Sequence, residues 1–281
     1  MYYIIYSMSI INNQTLVPDE SFFPLFTSSC FLHTGLYERL KHNFPDFSKL
    51  PVQSFGQTGR NNLMITEKSK DKDKLLDLLK KQSQDFYHLF QYFLSNSFKE
   101  FILKRFPIEL SKKYGLMNCN EKSLYADVQL CESCDNYENP WHVDTRKRYV
   151  HMLIYFGKDD IQEGGEIGIA KHKELGSFKD YTQYPEPQNL EKFKLFPPED
   201  NFAVCILSTP NSYHRGMHLK GKRRFMYVAL NFEEQNHNWI QNEAWNKMKP
   251  FPEALRNEKD KVNKLINESK ISKSNLKFFN R

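Results

Sequence analysis

The spacing of apolar positions changes twice along the chain. Over residues 1–60 short apolar runs alternate with polar and turn residues. The opening segment Met1–Ile11, rich in Tyr and Ile, reads as a strand, and Leu36, Tyr37 and Leu40 have helical spacing in a stretch that ends near Phe44-Pro45. Between Asp71 and Phe106 the period is helical throughout, because Leu75, Leu76, Leu78, Leu79, Phe86, Leu89, Phe90, Phe93 and Leu94 recur at spacings of three and four. Acidic residues open that stretch, as suits a helix N-terminus, Ser95-Asn96-Ser97 is a candidate break, and Pro107 ends it. After residue 120 the pattern becomes that of strands: Leu124–Leu130 alternates with period two, and Tyr149–Phe156, Glu166–Ala170, Phe202–Leu207 and Phe225–Phe232 are short apolar runs between turn residues. The polar, Pro-containing stretch Lys171–Asn201 has weak periodicity and reads as a long loop, either functional or disordered. From about Pro252 the chain reads as one charged helix and a tail.

Long helices followed by many short strands predict an α+β fold with a mainly β core, a barrel or sandwich buttressed by N-terminal helices. No linker composition interrupts the chain. We therefore expect a single domain over 1–281, with an N-terminal strand and support helices in 1–120, a core in 121–235 and a C-terminal helical extension in 236–281.

Composition adds boundaries rather than chemistry. With 281 residues, 40% of them hydrophobic, and 23 Phe and 15 Tyr, the chain can bury a core without disulfides or a structural metal. The net charge of +6 owes much to Lys247–Arg281 and reads as a solvated basic surface; no recognition motif supports nucleic-acid binding. Five cysteines without framework spacing fit a reducing compartment. The N-terminus lacks a basic segment and a cleavage site, and nothing approaches the length of a membrane span, so the expected location is the cytoplasm.

Three short motifs carry the candidate chemistry. In Trp141-His142-Val143-Asp144, residues two apart on a strand point to one side, so His142 and Asp144 can offer an imidazole nitrogen and a carboxylate oxygen to one ion. Alone, an H-x-D is common by chance. His214, in Ser212-Tyr213-His214-Arg215-Gly216, follows the apolar run Phe202–Leu207 and a Thr209-Pro210 turn. Gly221-Lys222-Arg223-Arg224 opens the last strand, where a buried guanidinium needs an anionic partner and matches a carboxylate with two parallel hydrogen bonds. Two His and one carboxylate leave half of an octahedral ion open, the arrangement of non-haem iron oxygenases.

In this order the motifs resemble the catalytic core of the iron(II)- and 2-oxoglutarate-dependent oxygenases, in particular the branch similar to prolyl 4-hydroxylases. The resemblance rests on His142-Val143-Asp144, Leu153-Ile154-Tyr155-Phe156, Gly164-Gly165-Glu166-Ile167, Ser212-Tyr213-His214 and Gly221-Lys222-Arg223, within Tyr125–Phe232. The stretch from Leu36 to Pro45 also resembles the helical opening of bacterial relatives. It implies a double-stranded β-helix, a distorted jelly roll of the cupin type. It further implies a dioxygenase that hydroxylates an unactivated C–H of a prolyl, peptidyl or small-molecule substrate and releases succinate and carbon dioxide. The implied metal ligands and catalytic residues are His142, Asp144 and His214; the implied cofactors are Fe(II), 2-oxoglutarate and O2, with ascorbate admitted as a reductant.

Alternatives remain open at several positions. Arg223 or Arg224 would hold 2-oxoglutarate, and because strand neighbours face opposite ways only one can; the G-x-R spacing favours Arg223. Tyr125, Asp127 and Gln129 share one face of the strand before the metal motif, and of these Tyr125 and Gln129 are carried as candidate cofactor contacts. Arg148 and Tyr149 are further candidates for touching a ligand. His218 stands too close to Arg223 for a distal ligand and is assigned to the surface or the site's periphery, and His151, inside an apolar strand, to the core. Two other classes compete: a metal-binding cupin-like protein without oxygenase chemistry, and a structural zinc module on Cys131-x-x-Cys134 with Cys119 and His142, which lacks a second close pair. A nucleic-acid demethylase would carry a second Arg six residues on, where this chain has Ala229 and Leu230.

Overall fold

The computed structural model describes residues 10–55, 59–108, 121–144, 147–173, 184–185, 187–209 and 212–233. Most of the Met1–Ile11 segment, Cys119, the middle of the 171–201 stretch and the C-terminal helix lie outside the described residues. The described part is mostly β with four α-helices.

The helical stretch is divided more finely than its periodicity suggests. Helix α1 (Thr34–His42) is followed by α2 (Lys72–Gln82), α3 (Gln84–Phe93) and α4 (Asn96–Leu103). The break at Ser95 is the expected one; a second, at Ser83, was not read from the pattern. Both have one cause: Ser83 takes extended backbone angles and accepts a hydrogen bond from the Phe86 N–H, and Ser95 does the same for Phe98. A serine hydroxyl satisfies a helix's first free N–H groups better as a cap than inside a helix, so the chain turns and restarts. Apolar spacing continues across both breaks because all three helices cover the same core.

Fourteen strands form three sheets. The largest contains β1 (Leu16–Asp19), β2 (Leu25–Ser28), β3 (Gln53–Phe55), β4 (Arg60–Thr66), β5 (Leu124–Ser133), β7 (Arg148–Phe156), β11 (Ala203–Leu207) and β14 (Arg223–Phe232), in the order β1-β2-β11-β7-β14-β5-β4-β3. The smaller contains β6 (Asn139–His142), β9 (Ile167–His172), β10 (Leu190–Phe196) and β12 (Tyr213–Gly216), in the order β10-β9-β12-β6. A third, two-stranded sheet joins β8 (Ile161–Gly164) to β13 (Leu219–Gly221). Four strands of the large sheet come from the first 66 residues, where the sequence pattern predicts only one strand, in Met1–Ile11. Strand β10 corrects the reading of 171–201 as loop: it pairs with β9, but Lys192 at φ +50° makes a bulge between Glu191 and Phe193 that breaks the alternation a strand would otherwise display.

Register assigns the side chains of the central strands of the large sheet to its two faces. On β14, Met226, Val228, Leu230 and Phe232 turn outward onto the helices, in one core with Phe86, Phe90, Phe93, Phe98 and Ile102. Burying each Phe side chain there contributes roughly 2–3 kcal/mol. The opposite face carries Arg223, Phe225 and Tyr227 of β14, beside Ser133, Cys131 and Gln129 of β5, while Tyr155, Leu153 and His151 of β7 pair with Phe225, Tyr227 and Ala229. Its apolar members pack with Ile167 and Ile169 of the small sheet in a second cluster. The two sheets thus enclose a second interior, distinct from the helical one, and its polar residues stand between their facing walls.

Candidate functional site

A cavity of about 270 Å³ opens between the two sheets, with His142, Asp144, His214, Gln129, Arg223 and Tyr227 among its lining residues. His142 ends β6 and His214 lies on the neighbouring strand β12; the two are paired directly across the ladder, which turns both rings to the same side. Their ring centroids are 4.2 Å apart. Asp144 follows β6 by two residues, and one of its oxygens, Oδ1, is 4.0 Å from each Nε2. Ligand atoms of His142, Asp144 and His214 all lie within 4.8 Å of one another, the one such group of three or more His, Cys, Asp or Glu among the described residues.

The backbone selects which nitrogens face the centre. Nδ1 of His142 is 2.8 Å from the Pro140 carbonyl oxygen, and Nδ1 of His214 is 2.9 Å from that of Ser212. A carbonyl only accepts, so each Nδ1 donates its hydrogen and each Nε2 turns a lone pair inward. Burial pushes both imidazoles below the ordinary histidine range, against the pull of Asp144, and His214 well below it. Burial alone would raise the Asp144 carboxyl; the neighbouring His151, Arg148 and His214 outweigh it and hold the group well below the usual carboxylate range. Two neutral imidazoles and one carboxylate are the protonation states a divalent ion requires, so the donor set fits a metal.

A second polar cluster surrounds Arg223 of β14, on the large-sheet wall of the same cavity. Arg223 is 2% exposed, and its guanidinium stands 4.7 Å from the Tyr137 ring centre and 4.8 Å from that of Phe225. One of its N–H groups donates to the Gly165 carbonyl. The Gly164-Gly165 turn makes that approach possible. Both residues have positive φ, and a side-chain carbon on Gly164 would lie 1.9 Å from the His218 carbonyl oxygen. Nε of Arg223, the Tyr155 hydroxyl and the Ser133 hydroxyl are buried without a hydrogen-bond partner among the described residues. Burial pushes the Tyr155 phenol up to about 12, so it remains a neutral donor at any physiological pH. A buried cation beside unsatisfied hydroxyls fits an anionic group with several acceptor oxygens, such as a carboxylate.

Arg224 faces the other way. Its Nε is 3.1 Å from Glu132 Oε2, its Nη1 3.6 Å from Asp160 Oδ2, and its guanidinium covers the Phe44 ring. Gln129 lines the cavity and accepts a hydrogen bond from Asn62 at 2.8 Å, whereas Tyr125, on the same face, sits beyond the cavity under Lys68. Arg148 lines the cavity with Nε 3.6 Å from Asp144 Oδ2. Tyr149 does not reach it: the side chain turns to the helical face, where its hydroxyl donates to the Phe106 carbonyl. His218 is exposed on a turn. Cys131 is buried in the apolar cluster between the sheets, where burial pushes its thiol up to about 11, and neither it nor Cys134 joins a group of three possible metal ligands among the described residues.

His151, which lines the cavity, and Tyr155, which lies against Arg223, are among the residues that sequence reasoning missed. Strand β7 is buried on both faces over Tyr149–Phe156, so no alternation marks its cavity side. The polar signals that remain are a histidine in an apolar run and a tyrosine four residues on, which strand geometry puts on the same face.

No protein-family model matches the sequence, and no curated protein does. Among solved structures, the chain is similar to a prolyl-4-hydroxylase from Pseudomonas putida (TM-score 0.43, 11% identity, 75% of this chain and 93% of that one). It is also similar to a prolyl hydroxylase from Trichoplax adhaerens in complex with a peptide fragment of the hypoxia inducible factor oxygen degradation domain (TM-score 0.42, 11% identity, 80% and 87%). A third is HygX from Streptomyces hygroscopicus with nickel, 2-oxoglutarate and hygromycin B bound (TM-score 0.44, 11% identity, 74% and 83%). At identities this low, function has to be read from the side chains of the site.

Proposed function

We propose that this protein is an Fe(II)- and 2-oxoglutarate-dependent dioxygenase that hydroxylates an unactivated C–H bond of a prolyl, peptidyl or small-molecule substrate. The observation that carries the reading is the convergence of His142, Asp144 and His214 on one point, with a buried arginine cradle in the same cavity. In this reading the two facing sheets are the walls of a double-stranded β-helix within a single domain.

His142 and His214 would bind iron through Nε2, each ring held in place by its Nδ1 hydrogen bond to backbone, and Asp144 through Oδ1. Three protein ligands on one face leave three positions open. Arg223, Tyr155 and Ser133 would grip the far carboxylate of 2-oxoglutarate; Arg223 is chosen over Arg224 because it alone points into the cavity. When bound, iron and 2-oxoglutarate would supply the oxidation, with one oxygen atom of dioxygen entering the substrate hydroxyl and the other succinate, and carbon dioxide released from 2-oxoglutarate's own carboxylate. The chain's own part is orientation and shielding: Leu153, Ile167 and Phe225 give the cavity apolar walls that limit water.

The test is an anaerobic titration of purified protein with Fe(II) and 2-oxoglutarate, followed by the visible charge-transfer band of the chelate and, on admitting air, by succinate. Both signals are expected, and both should vanish in His142→Ala and Asp144→Ala. A protein that binds metal but forms neither band nor succinate would instead be a cupin-like binding protein.

A further inference from the structure

The third histidine of the cavity has no role in the reading above. His151 is 0% exposed and occupies the middle of β7, facing the site rather than the helical core to which its apolar neighbours Val150 and Met152 belong. Its Nδ1 stands 2.6 Å from Asp144 Oδ2. Its ring lies 4.4 Å from that of His214 on one side and 5.9 Å from that of Tyr227 on the other, nearly parallel to the tyrosine at 13°. It therefore touches two of the three metal-binding side chains and is itself packed between rings.

We propose that His151 is a positioning residue that divides the labour of the Asp144 carboxylate, clamping Oδ2 so that Oδ1 alone is presented to the metal. The inference rests on the metal reading of the site. Two lone pairs cannot stand 2.6 Å apart, so a hydrogen must lie between Nδ1 and Oδ2. The contact as it stands is bent beyond hydrogen-bond alignment. Arg148 Nε approaches the same oxygen, at 3.6 Å. Oδ1 is the atom equidistant from the two Nε2 nitrogens, at 4.0 Å. A free carboxylate can rotate and bind an ion through both oxygens, taking up a coordination position. One whose second oxygen is clamped binds through one and leaves that position for co-substrate or dioxygen. The ring contact with His214 extends the brace to a second ligand.

Three variants separate positioning from packing. His151→Leu keeps apolar bulk and removes the donor, His151→Asn puts an amide donor where Nδ1 stands, and His151→Gln puts it where Nε2 stands. The readouts are Mn(II) affinity of the full chain, by electron paramagnetic resonance of the free ion, and the melting temperature of the metal-free protein. We expect Leu and Gln to weaken Mn(II) about 10- to 100-fold, and Asn to remain within about threefold of wild type. The metal-free melting temperature should not follow that order. Wild-type affinity in His151→Leu overturns the proposal, and so does Asn binding as weakly as Gln; the Asn–Gln comparison decides even if Leu does not fold. Failure of the wild type itself to bind Mn(II) would sink the metal reading and the proposal with it, a result distinct from the other two.

Discussion

Replacing Tyr155 by Phe removes one oxygen atom and should move two measured quantities in opposite directions. The Tyr155 hydroxyl is buried, has no hydrogen-bond partner among the described residues and lies near the Arg223 guanidinium, whose centre is 5.9 Å from the ring. In the co-substrate-free protein its removal takes away an unsatisfied buried polar group, which otherwise costs about 1–3 kcal/mol. Melting temperature should hold or rise, by roughly 2–4 °C for each kcal/mol in a chain of this size. In the complex the same hydroxyl would donate to a carboxylate, a bond contributing about 1.5–3 kcal/mol. Its loss weakens 2-oxoglutarate about 10- to 100-fold, at tenfold per 1.4 kcal/mol. The assay pairs thermal denaturation without ligand with calorimetric titration of 2-oxoglutarate into Mn(II)-loaded protein under nitrogen. Unchanged affinity would remove Tyr155 from the cradle; a melting temperature several degrees lower would show that the hydroxyl has a partner and that the cradle has been misread.

Three further outcomes follow from the same structure. Arg223→Ala should abolish measurable 2-oxoglutarate binding in that calorimetric titration, while Arg224→Ala, whose side chain meets Glu132, Asp160 and Phe44, should leave it within about threefold; the reverse pattern would refute the orientation of β14. Metal-free protein should lose stability as pH falls below about 6.5, because His142 and His214 bind protons more readily unfolded than folded and stability rises with pH where that holds; denaturant midpoints flat between pH 7 and 5 would contradict it. Gly164→Ala, with φ +74° and a backbone oxygen 1.9 Å from the new carbon, should cost at least about 2 kcal/mol by chemical denaturation and loosen Arg223; a neutral substitution would mean the turn is not built as described.

What was legible in the sequence was what strand periodicity can carry. His142 and Asp144 stand two apart, and that spacing is visible without coordinates, although β6 ends at His142 and Asp144 lies just beyond it. His214 could be tied to them only by order along the chain, and it is the direct pairing of β12 with β6 that brings the rings together. The choice between Arg223 and Arg224 was reducible to a question of face, and pairing with Ser133 on one side and the cavity wall beyond answers it geometrically. Tyr155 and His151 were not legible because a strand buried on both sides has no hydrophobic alternation to show which face is which. Tyr125 failed for a complementary reason. Sharing a face with Gln129 says nothing about how far along the strand the cavity extends, and it ends before Tyr125. The N-terminal strands escaped because β1 is half exposed and only four residues long, β3 only three, so neither offers enough repeats to establish a period.

X-ray absorption at the iron edge, on full-length protein loaded anaerobically with one equivalent of Fe(II), reads the coordination sphere itself. Convergence of His142, Asp144 and His214 on a single ion predicts a shell of nitrogen and oxygen only, with outer-shell scattering from two imidazoles. A sulfur neighbour, or an imidazole count of zero or three, would contradict it.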